Sequence, residues 1–317
     1  MKKIRRLRYV AWLSAFVLSA IGAVATQSAG VSSALDVKAA AFSAASPFRP
    51  PAAPNCGATI YKSNGTPWKC TFADEFSGTS LDSTKWVAQT TASNGFHYGP
   101  DCTVNSPNNI SVSGGTVKLT VRKEAAPFTC KNPYGDYQTQ YTAGGIMTWG
   151  KFSQAYGRFE FRAKMPDATT AGVHSALWMY PIKDTYGGWP KSGEIDVLEY
   201  YSQYPDRSVP YIHYLIPEML DQPNFSGTSE WGCTMVDPKT FHTYVADWTT
   251  TGIKITFDGQ TCMNHTWNTA SPLTGSQPFD KPFAIIMSQV MGIATNEVTS
   301  STTLPATMQI DWVHVWS

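Results

Sequence analysis

The chain has 317 residues, of which 42% are hydrophobic, 13% aromatic and only 15% charged. Many aromatic residues and little charge exclude a disordered chain, and the composition is not that of a coiled coil. The formal net charge is +1, but five of the 24 Lys and Arg residues lie among the first eight positions.

The first 25 residues have the pattern of a secretion signal. A cationic start over 2–8 precedes the apolar run Tyr9 to Ala25, which ends in the small residues that signal peptidases require. A membrane anchor is the alternative, but about 17 apolar residues are at the short limit for a bilayer, and no basic stop follows. We predict a cleaved signal peptide over 1–25, a secreted or cell-wall-associated protein, and no later membrane segment.

Residues 26–54 are rich in Ala, Ser and Pro and predict a linker or a disordered leader before one domain over 55–317. Without the signal, 19 Lys and Arg stand against 23 Asp and Glu, a net charge of −4. A weakly acidic secreted protein has no electrostatic reason to bind nucleic acid or anionic lipid. We therefore expect neither as a partner, and we expect a monomer.

All six cysteines follow the signal, and an even number in an oxidising compartment predicts three disulfides. The sequence leaves the pairing open. Pairing of nearest neighbours gives Cys56–Cys70, Cys102–Cys130 and Cys233–Cys262, which is our expectation. No C-x-x-C pair is present, so a zinc site is not expected.

Short runs with period-two alternation recur along the domain. Apolar and polar residues alternate over 117–122, 156–165 and 253–257, and the turn pairs Gly114-Gly115 and Asp258-Gly259 adjoin two of these runs. β-Branched and aromatic residues in such alternation, bounded by turn residues, indicate strands. No long stretch has helical periodicity, so an all-β sandwich or barrel is predicted.

Three acids lie close together in the segment Glu194-Ile-Asp-Val-Leu-Glu199. On a strand, Glu194 and Asp196 share a face, but strict alternation turns Glu199 to the opposite one. A β-bulge near Val197-Leu198 would return Glu199 to the face of the others. A helix would leave the two glutamates some 140° apart, so a bulged strand is the arrangement that unites them.

Paired carboxyls suit the cleavage of a glycosidic bond. One ionised carboxylate attacks the anomeric carbon and one neutral acid protonates the leaving oxygen, with about 5–5.5 Å between the two in a retaining enzyme. Repulsion between crowded carboxylates raises the pKa of one of them, so that it keeps its proton. An exposed acidic edge or a calcium site is the alternative, but calcium loops place Asn, Gly and Ser between their acids, and aliphatic residues intervene here.

The acid segment resembles the E-x-D-x-x-E signature of glycoside hydrolase family 16, in its bulged, laminarinase-like form. The resemblance extends over nearly all of the chain after the linker. Further segments match that family in order: 72–78, 81–86, 109–119, 156–166, 176–179, 189–190, 211–214, 242–248 and 308–315.

The resemblance implies a concanavalin A-like jelly-roll sandwich of two antiparallel sheets with a concave substrate cleft. It implies Glu194 as nucleophile, Glu199 as general acid/base and Asp196 as assisting carboxylate in a retaining double displacement. It further implies a polysaccharide partner, most often a β-1,3-glucan, and no cofactor for catalysis.

Five more residues are expected to bind substrate. Trp178 and Trp189 flank the acids in sequence and could stack on sugar rings, although a buried core is the alternative for Trp178. Glu160 and Arg162 lie on the polar face of one strand; solvent exposure is their usual explanation, and the resemblance favours cleft contacts. It also places His213 beside the acids.

Two further expectations concern a segment that departs from the family pattern and a calcium position. The segment 287–292, Met-Ser-Gln-Val-Met-Gly, differs from the run typical of laminarinase-like members, and Gln289 is expected to contact sugar there. Asp311, with backbone oxygens near Gly115, resembles a structural calcium position of some members, although a surface aspartate is the alternative.

Three functions remain open on the sequence. The leading hypothesis is a secreted retaining endo-β-glycosidase, most simply an endo-β-1,3-glucanase. A cell-wall transglycosylase or a β-galactan hydrolase would use the same acids. A non-catalytic lectin would have no need of all three.

Overall fold

Sixteen strands form most of the regular structure in residues 53–219, 227–235 and 237–317, the part of the chain that the computed structural model describes. The predicted signal peptide and the predicted linker, except its last two residues, lie outside that part. The strands are β1 (Cys70–Asp74), β2 (Val87–Ala88), β3 (Asp101–Thr103), β4 (Ile110–Ser113), β5 (Thr116–Cys130), β6 (Tyr137–Met147), β7 (Gly157–Lys164), β8 (Val173–Pro181), β9 (Glu194–Tyr201), β10 (Val209–His213), β11 (Thr228–Ser229), β12 (His242–Trp248), β13 (Gly252–Phe257), β14 (Gln260–Thr266), β15 (Phe283–Met291) and β16 (Ala306–Trp316).

Helical structure in the same residues is short. It comprises α1 (Thr91–Asn94) and two 3₁₀ turns, Pro217–Met219 and Ala294–Asn296. None of these described helices has the length and hydropathy needed to span a bilayer. The predicted all-β class is confirmed.

The strands follow one another in the order β11-β10-β9-β8-β15-β6-β5-β16-β7-β12-β13-β14. The 15-residue strand β5 joins two layers, because its first part pairs with β16 and its second part with β6. We call β11 to β6 in this order the first layer and β5 to β14 the second. Neighbours pair antiparallel, except that β3 runs parallel to β6, which departs from the purely antiparallel expectation.

Apolar side chains from both layers share one core. β7 and β16 of the second layer contribute Phe161 and Val313, and β8 and β9 of the first contribute Leu177 and Leu198, all without measurable exposure. Each such side chain stabilises the fold by about 1.5–3 kcal/mol through its removal from water. The core therefore lies between the layers, and each layer turns its other face outward.

Two hairpins form at the predicted turn pairs. Gly114 and Gly115 have φ of 63° and 73° and connect Ser113 to its partner Thr116. Asp258 and Gly259, with φ of 48° and 81°, connect Phe257 to Gln260 in the same way. Two-residue hairpins of this kind require positive φ at both central positions, which glycine adopts without strain and aspartate tolerates. The sequence prediction of these turns is confirmed.

Three disulfides close loops of the domain. Cys56 bonds Cys70, Cys102 bonds Cys130, and Cys233 bonds Cys262. The nearest-neighbour pairing is therefore confirmed, and none of the six cysteines is free.

Gly144 of β6 gives a test of the packing where the two layers meet. A Cβ at this position would lie 2.2 Å from the backbone oxygen of Asn109, which accepts a hydrogen bond from Thr120. We expect Gly144→Ala to lower the free energy of unfolding by about 3 kcal/mol, because backbone has to move to admit a methyl group.

The matched control is Gly78→Ala, where the nearest atom to the added Cβ would be 3.5 Å away. Urea unfolding of the two variants measures the difference. Equal stability of both would show that the approach of residue 109 to β6 is not as close as described.

Candidate active site

The three acids lie on β9 at a bulge. Across β8, Leu177 is opposite Leu198 while Trp178 is opposite Asp196, so Val197 has no partner. The pairing with β10 skips the same residue. Val197 and its neighbour Leu198 both point into the core, and this turns Glu199 to the face of Asp196. The predicted bulge is confirmed.

Each carboxyl has its own nitrogen partner. Trp189 donates its indole N–H to Oε2 of Glu194. Nε2 of His213 lies 3.4 Å from Oδ2 of Asp196.

On Glu199, Oε1 lies 3.1 Å from Nε2 of His174. Nδ1 of His174 is buried and has no partner in the described chain, so a proton there would be costly. The geometry therefore favours the tautomer whose proton sits on Nε2 and points at Glu199.

Burial, repulsion and hydrogen bonds shift the pKa values of the three acids. Burial, with the charge of Asp196 next, raises the pKa of Glu194 to about 8. Burial and the charge of Glu199 raise the pKa of Asp196 well above its usual value. Burial would also raise the pKa of Glu199, but the hydrogen bond with His174 and the attraction of His213 lower it overall. At neutral pH the cluster therefore retains protons on the Glu194 and Asp196 side, while Glu199 is ionised.

A metal ion is the other species that could neutralise these acids. Ligand atoms of Glu194, Asp196 and His213 lie within 4.8 Å of one another, the one such group in the described residues. Protons retained at neutral pH also relieve the repulsion between these carboxyls. The expectation that catalysis needs no cofactor stays a prediction.

The two predicted tryptophans border the acids in different ways. Trp178 lies opposite Asp196 on β8, is 9% exposed, and donates its indole N–H to Ser288. Trp189 is 36% exposed and sits in the loop before β9. Trp189 is therefore open to a ligand, whereas Trp178 forms the floor beneath one.

Glu160 and Arg162 do not lie near the acids. Both are on β7 of the second layer, where Glu160 pairs with Arg158 and Arg162 with Asp311. Their inward neighbour Phe161 belongs to the core, so the two charges face away from it, on the opposite side of the molecule from β9. The expectation that they contact substrate in the cleft is wrong.

Gln289 is fully buried and accepts a hydrogen bond from Ser175. By alternation along β15 it shares the side of Met287, a core residue. The expectation of a sugar contact is therefore wrong, and Ser288 occupies the outward position instead.

The donor set at Asp311 does not fit the suggested calcium ion. Oδ2 of Asp311 already accepts from Nε of Arg162 at 3.0 Å. A guanidinium in contact with the carboxylate repels a second cation. The calcium expectation at Asp311 is not supported.

The structure adds aromatic residues and a histidine that were not expected. Besides His174, the outward face near Glu199 includes Tyr201, and the loop before β3 supplies Phe96 against Trp178 and Tyr98 against His174. His174 shares a face with Trp178, and Tyr201 follows Glu199 by two residues, so alternation could have found both. The loop residues carry no periodic signal.

Asp101 anchors that loop. Its Oδ1 accepts from the backbone N–H groups of Gly99 and Met291 at 3.1 and 3.0 Å. Burial raises the pKa of Asp101 to about 6. The adjacent Cys102–Cys130 disulfide holds the same segment, so Tyr98 reaches His174 from a fixed base.

The long strands of the first layer carry no Lys or Arg. β6, β8, β9, β10 and β15 contain no Lys or Arg, whereas β7 alone has three. With Glu199 ionised on the outward face and no Lys or Arg on these strands, this surface offers a polyanion no guanidinium or ammonium group to bind.

Comparisons with known proteins agree with this geometry. A family model described as "Beta-porphyranase A-D, GH16 domain" matches residues 69–317. The chain is 33% identical over 261 residues to a glucan endo-1,3-beta-glucosidase A1 of Niallia circulans, covering 77% of this chain and 37% of that protein. It is 31% identical over 254 residues to a keratan-sulfate endo-1,4-beta-galactosidase of Sphingobacterium multivorum, covering 79% and 56%. The chain thus spans only part of the length of these two relatives.

Among solved structures, the laminarinase from Rhodothermus marinus has a TM-score of 0.66 at 26% identity. The likeness covers 78% of this chain and 97% of that one. The jelly-roll arrangement expected from the sequence is thereby confirmed.

Proposed function

Because this chain belongs to glycoside hydrolase family 16, we propose that it is a secreted, retaining endo-β-glycosidase that hydrolyses internal linkages of a β-1,3-glucan. The observation that carries the proposal is the bulge at Val197, which sets three carboxyls on one outward face. The relatives named for glucan hydrolysis support the substrate. Three disulfides support an extracellular location.

The proposed reaction is a double displacement. The carboxylate of Glu194 attacks the anomeric carbon while Glu199 gives a proton to the leaving oxygen, so the glycosidic bond breaks as a glycosyl ester forms. Glu199 then takes a proton from water, whose oxygen displaces Glu194 from the same carbon. Both glutamates end in their starting states, and the anomeric configuration is retained.

The two glutamates share one catalytic proton in this proposal. In the free protein burial favours that proton on Glu194, while His174 favours the ionised form of Glu199. Attack requires the reverse distribution, so a glycosidic oxygen that binds at Glu199 has to draw the proton there. The indole N–H of Trp189 supports this transfer, because it stabilises the carboxylate of Glu194.

Asp196 assists from between the two. It is almost fully buried, and the raised pKa favours its protonated form. A protonated Asp196 can donate to a neighbouring carboxylate oxygen without adding charge to the site. His213, beside its Oδ2 and stacked on Tyr211, keeps it oriented.

The charge of the first layer favours a neutral substrate over an anionic one. A sulfated chain, such as the one in the name of the Sphingobacterium relative, would meet the carboxylate of Glu199 and no Lys or Arg on the long strands. A neutral glucan meets no such repulsion. Hydrolysis of a sulfated galactan is therefore the weaker candidate function.

A polysaccharide panel tests the function. The protein is incubated with laminarin, lichenan, agarose and keratan sulfate, and products are separated by size. We expect shorter oligosaccharides from laminarin and none from keratan sulfate. Redistributed chain lengths would instead indicate transfer to sugars, and retention of polysaccharide without products would indicate a lectin.

Glu194→Gln is expected to lower kcat on laminarin by more than about 10⁴-fold, because an amide cannot form the ester. Binding should persist. Glu75→Gln is the control, since Glu75 contacts His314 of the second layer and should leave kcat unchanged. Turnover by the Glu194 variant near the native rate would reject Glu194 as the nucleophile.

The proton count predicts a bell-shaped dependence of kcat/KM on pH. Above about pH 8 the proton held on Glu194 is lost, so activity should fall. On the acid side, activity should persist below the usual titration range of a glutamate, because the pKa of Glu199 is lowered. The two limbs belong to the coupled pair rather than to single residues.

Initial rates on laminarin between pH 3 and 10 measure these limbs. An alkaline limb near pH 5, or activity that still rises beyond pH 9, would contradict the proposed sharing of one proton.

A further inference from the structure

Three of the exposed aromatic side chains gather at the site. Among the large hydrophobic side chains exposed in the described residues, Trp189 contacts Glu194, and Trp231 and Tyr204 contact each other, at 42% and 37% exposure. The mechanism above uses the first of these and leaves the other two unexplained.

Trp231 continues the aromatic face next to Glu199. Its ring is stacked on Tyr201, with centroids 5.6 Å apart and planes 17° apart. Tyr201 in turn contacts the ring of His174 at 4.8 Å and hydrogen-bonds Glu199. Tyr204 meets the Trp231 ring edge-on at 5.6 Å. An unbroken row of rings thus runs from the acid out to an exposed indole.

Hydrogen bonds and a disulfide fix the backbone around Trp231. Arg207, paired with Asp206, donates to the backbone oxygen of Trp231 at 3.2 Å. On one side of it, the N–H of Glu230 donates to the oxygen of Pro210.

Two residues past the indole, Cys233 is bonded to Cys262 and accepts from the N–H of Ser208. A rigid aromatic surface loses little conformational entropy when it binds a ligand.

We propose that Trp231 and Tyr204 form a binding platform for a neutral pyranose of the polysaccharide. This pyranose belongs to the leaving portion, whose oxygen receives the proton from Glu199. This rests on the proposed function. Glu199 protonates the leaving oxygen, so sugars on its side of the cleavage point belong to the leaving portion, and the ring row begins at that residue. The apolar face of a pyranose matches a flat indole, and the guanidinium of Arg207 beside the platform is paired with Asp206, so it does not favour an acidic sugar.

The occupant is a continuation of the bound substrate rather than a separate ligand. Tyr201 belongs to the face that bears Glu199, and Trp231 is continuous with it through ring contact. The platform should therefore matter only for substrates long enough on the leaving side to reach it. Cleavage of aryl glycosides should not depend on the platform, because their leaving group does not extend beyond Glu199.

The test compares long and short substrates. Trp231→Ala is expected to raise KM for laminarin about tenfold with kcat within twofold, and to leave kcat/KM on an aryl β-laminaribioside unchanged. Trp231→Phe, which keeps a flat ring, should recover most of the loss. The control is Tyr61→Ala, at an aromatic residue that is 65% exposed and packs near none of these rings.

Affinity in the Glu194→Gln background separates binding from turnover. There, Trp231→Ala should weaken laminarin oligosaccharides about tenfold only above a threshold length. Equal loss on aryl and long substrates would mean a structural role and overturn the platform, as would unchanged KM for laminarin. Either result leaves laminarin hydrolysis standing, whereas a native protein that neither binds nor cuts laminarin would reject the proposed function itself.

Discussion

One inserted residue in β9 determines where the chemistry can occur. Period-two alternation would bury Glu199 or expose Leu198, and the insertion of Val197 avoids both, because Val197 and Leu198 enter the core together. Burial of two adjacent aliphatic side chains stabilises the bulge by several kcal/mol, about 1.5–3 kcal/mol each. The same apolar contacts that hold the core therefore hold three acids in one place. The carboxyls repel one another as a result, and the surrounding nitrogens offset this repulsion.

Those nitrogens divide the protons unevenly. Trp189, His213 and His174 each contact one carboxyl. Only at Glu199 do such contacts outweigh burial, so that the pKa ends below its usual value. His174 is itself fixed by Tyr98, whose loop is anchored at Asp101 and by a disulfide. A change far from the acids, in that loop, can thus alter the proton balance at Glu199.

Much of the fold follows from local patterns. The alternation over 157–165, the glycine turn at 114–115 and the bulge at Val197 each have a local physical cause, and the structure has all three. Alternation tells which residues share a face of a strand, but not which layer the strand joins. For that reason alternation assigns Glu160 and Arg162 to the correct face of β7 but does not show that β7 belongs to the second layer, away from the acids.

The other errors have the same origin. Gln289 lies one residue from an outward position, and Asp311 has an arginine neighbour from a strand nearly 150 residues earlier. Contacts between distant segments, such as Trp231 on Tyr201, leave no spacing that a single sequence displays. The catalytic acids can be identified from the six residues 194–199, whereas the residues that line the site around them depend on the complete topology.

The central claim is that the bulge brings Glu194 and Glu199 close enough for attack and protonation across one bond. The configuration of the first product tests it most directly, because closely spaced carboxyls give retention and a wider gap that admits water gives inversion. Proton NMR during the first minutes of laminari-oligosaccharide cleavage should show the β-anomer appearing first and the α-anomer growing later by mutarotation. Initial appearance of the α-anomer would contradict the account.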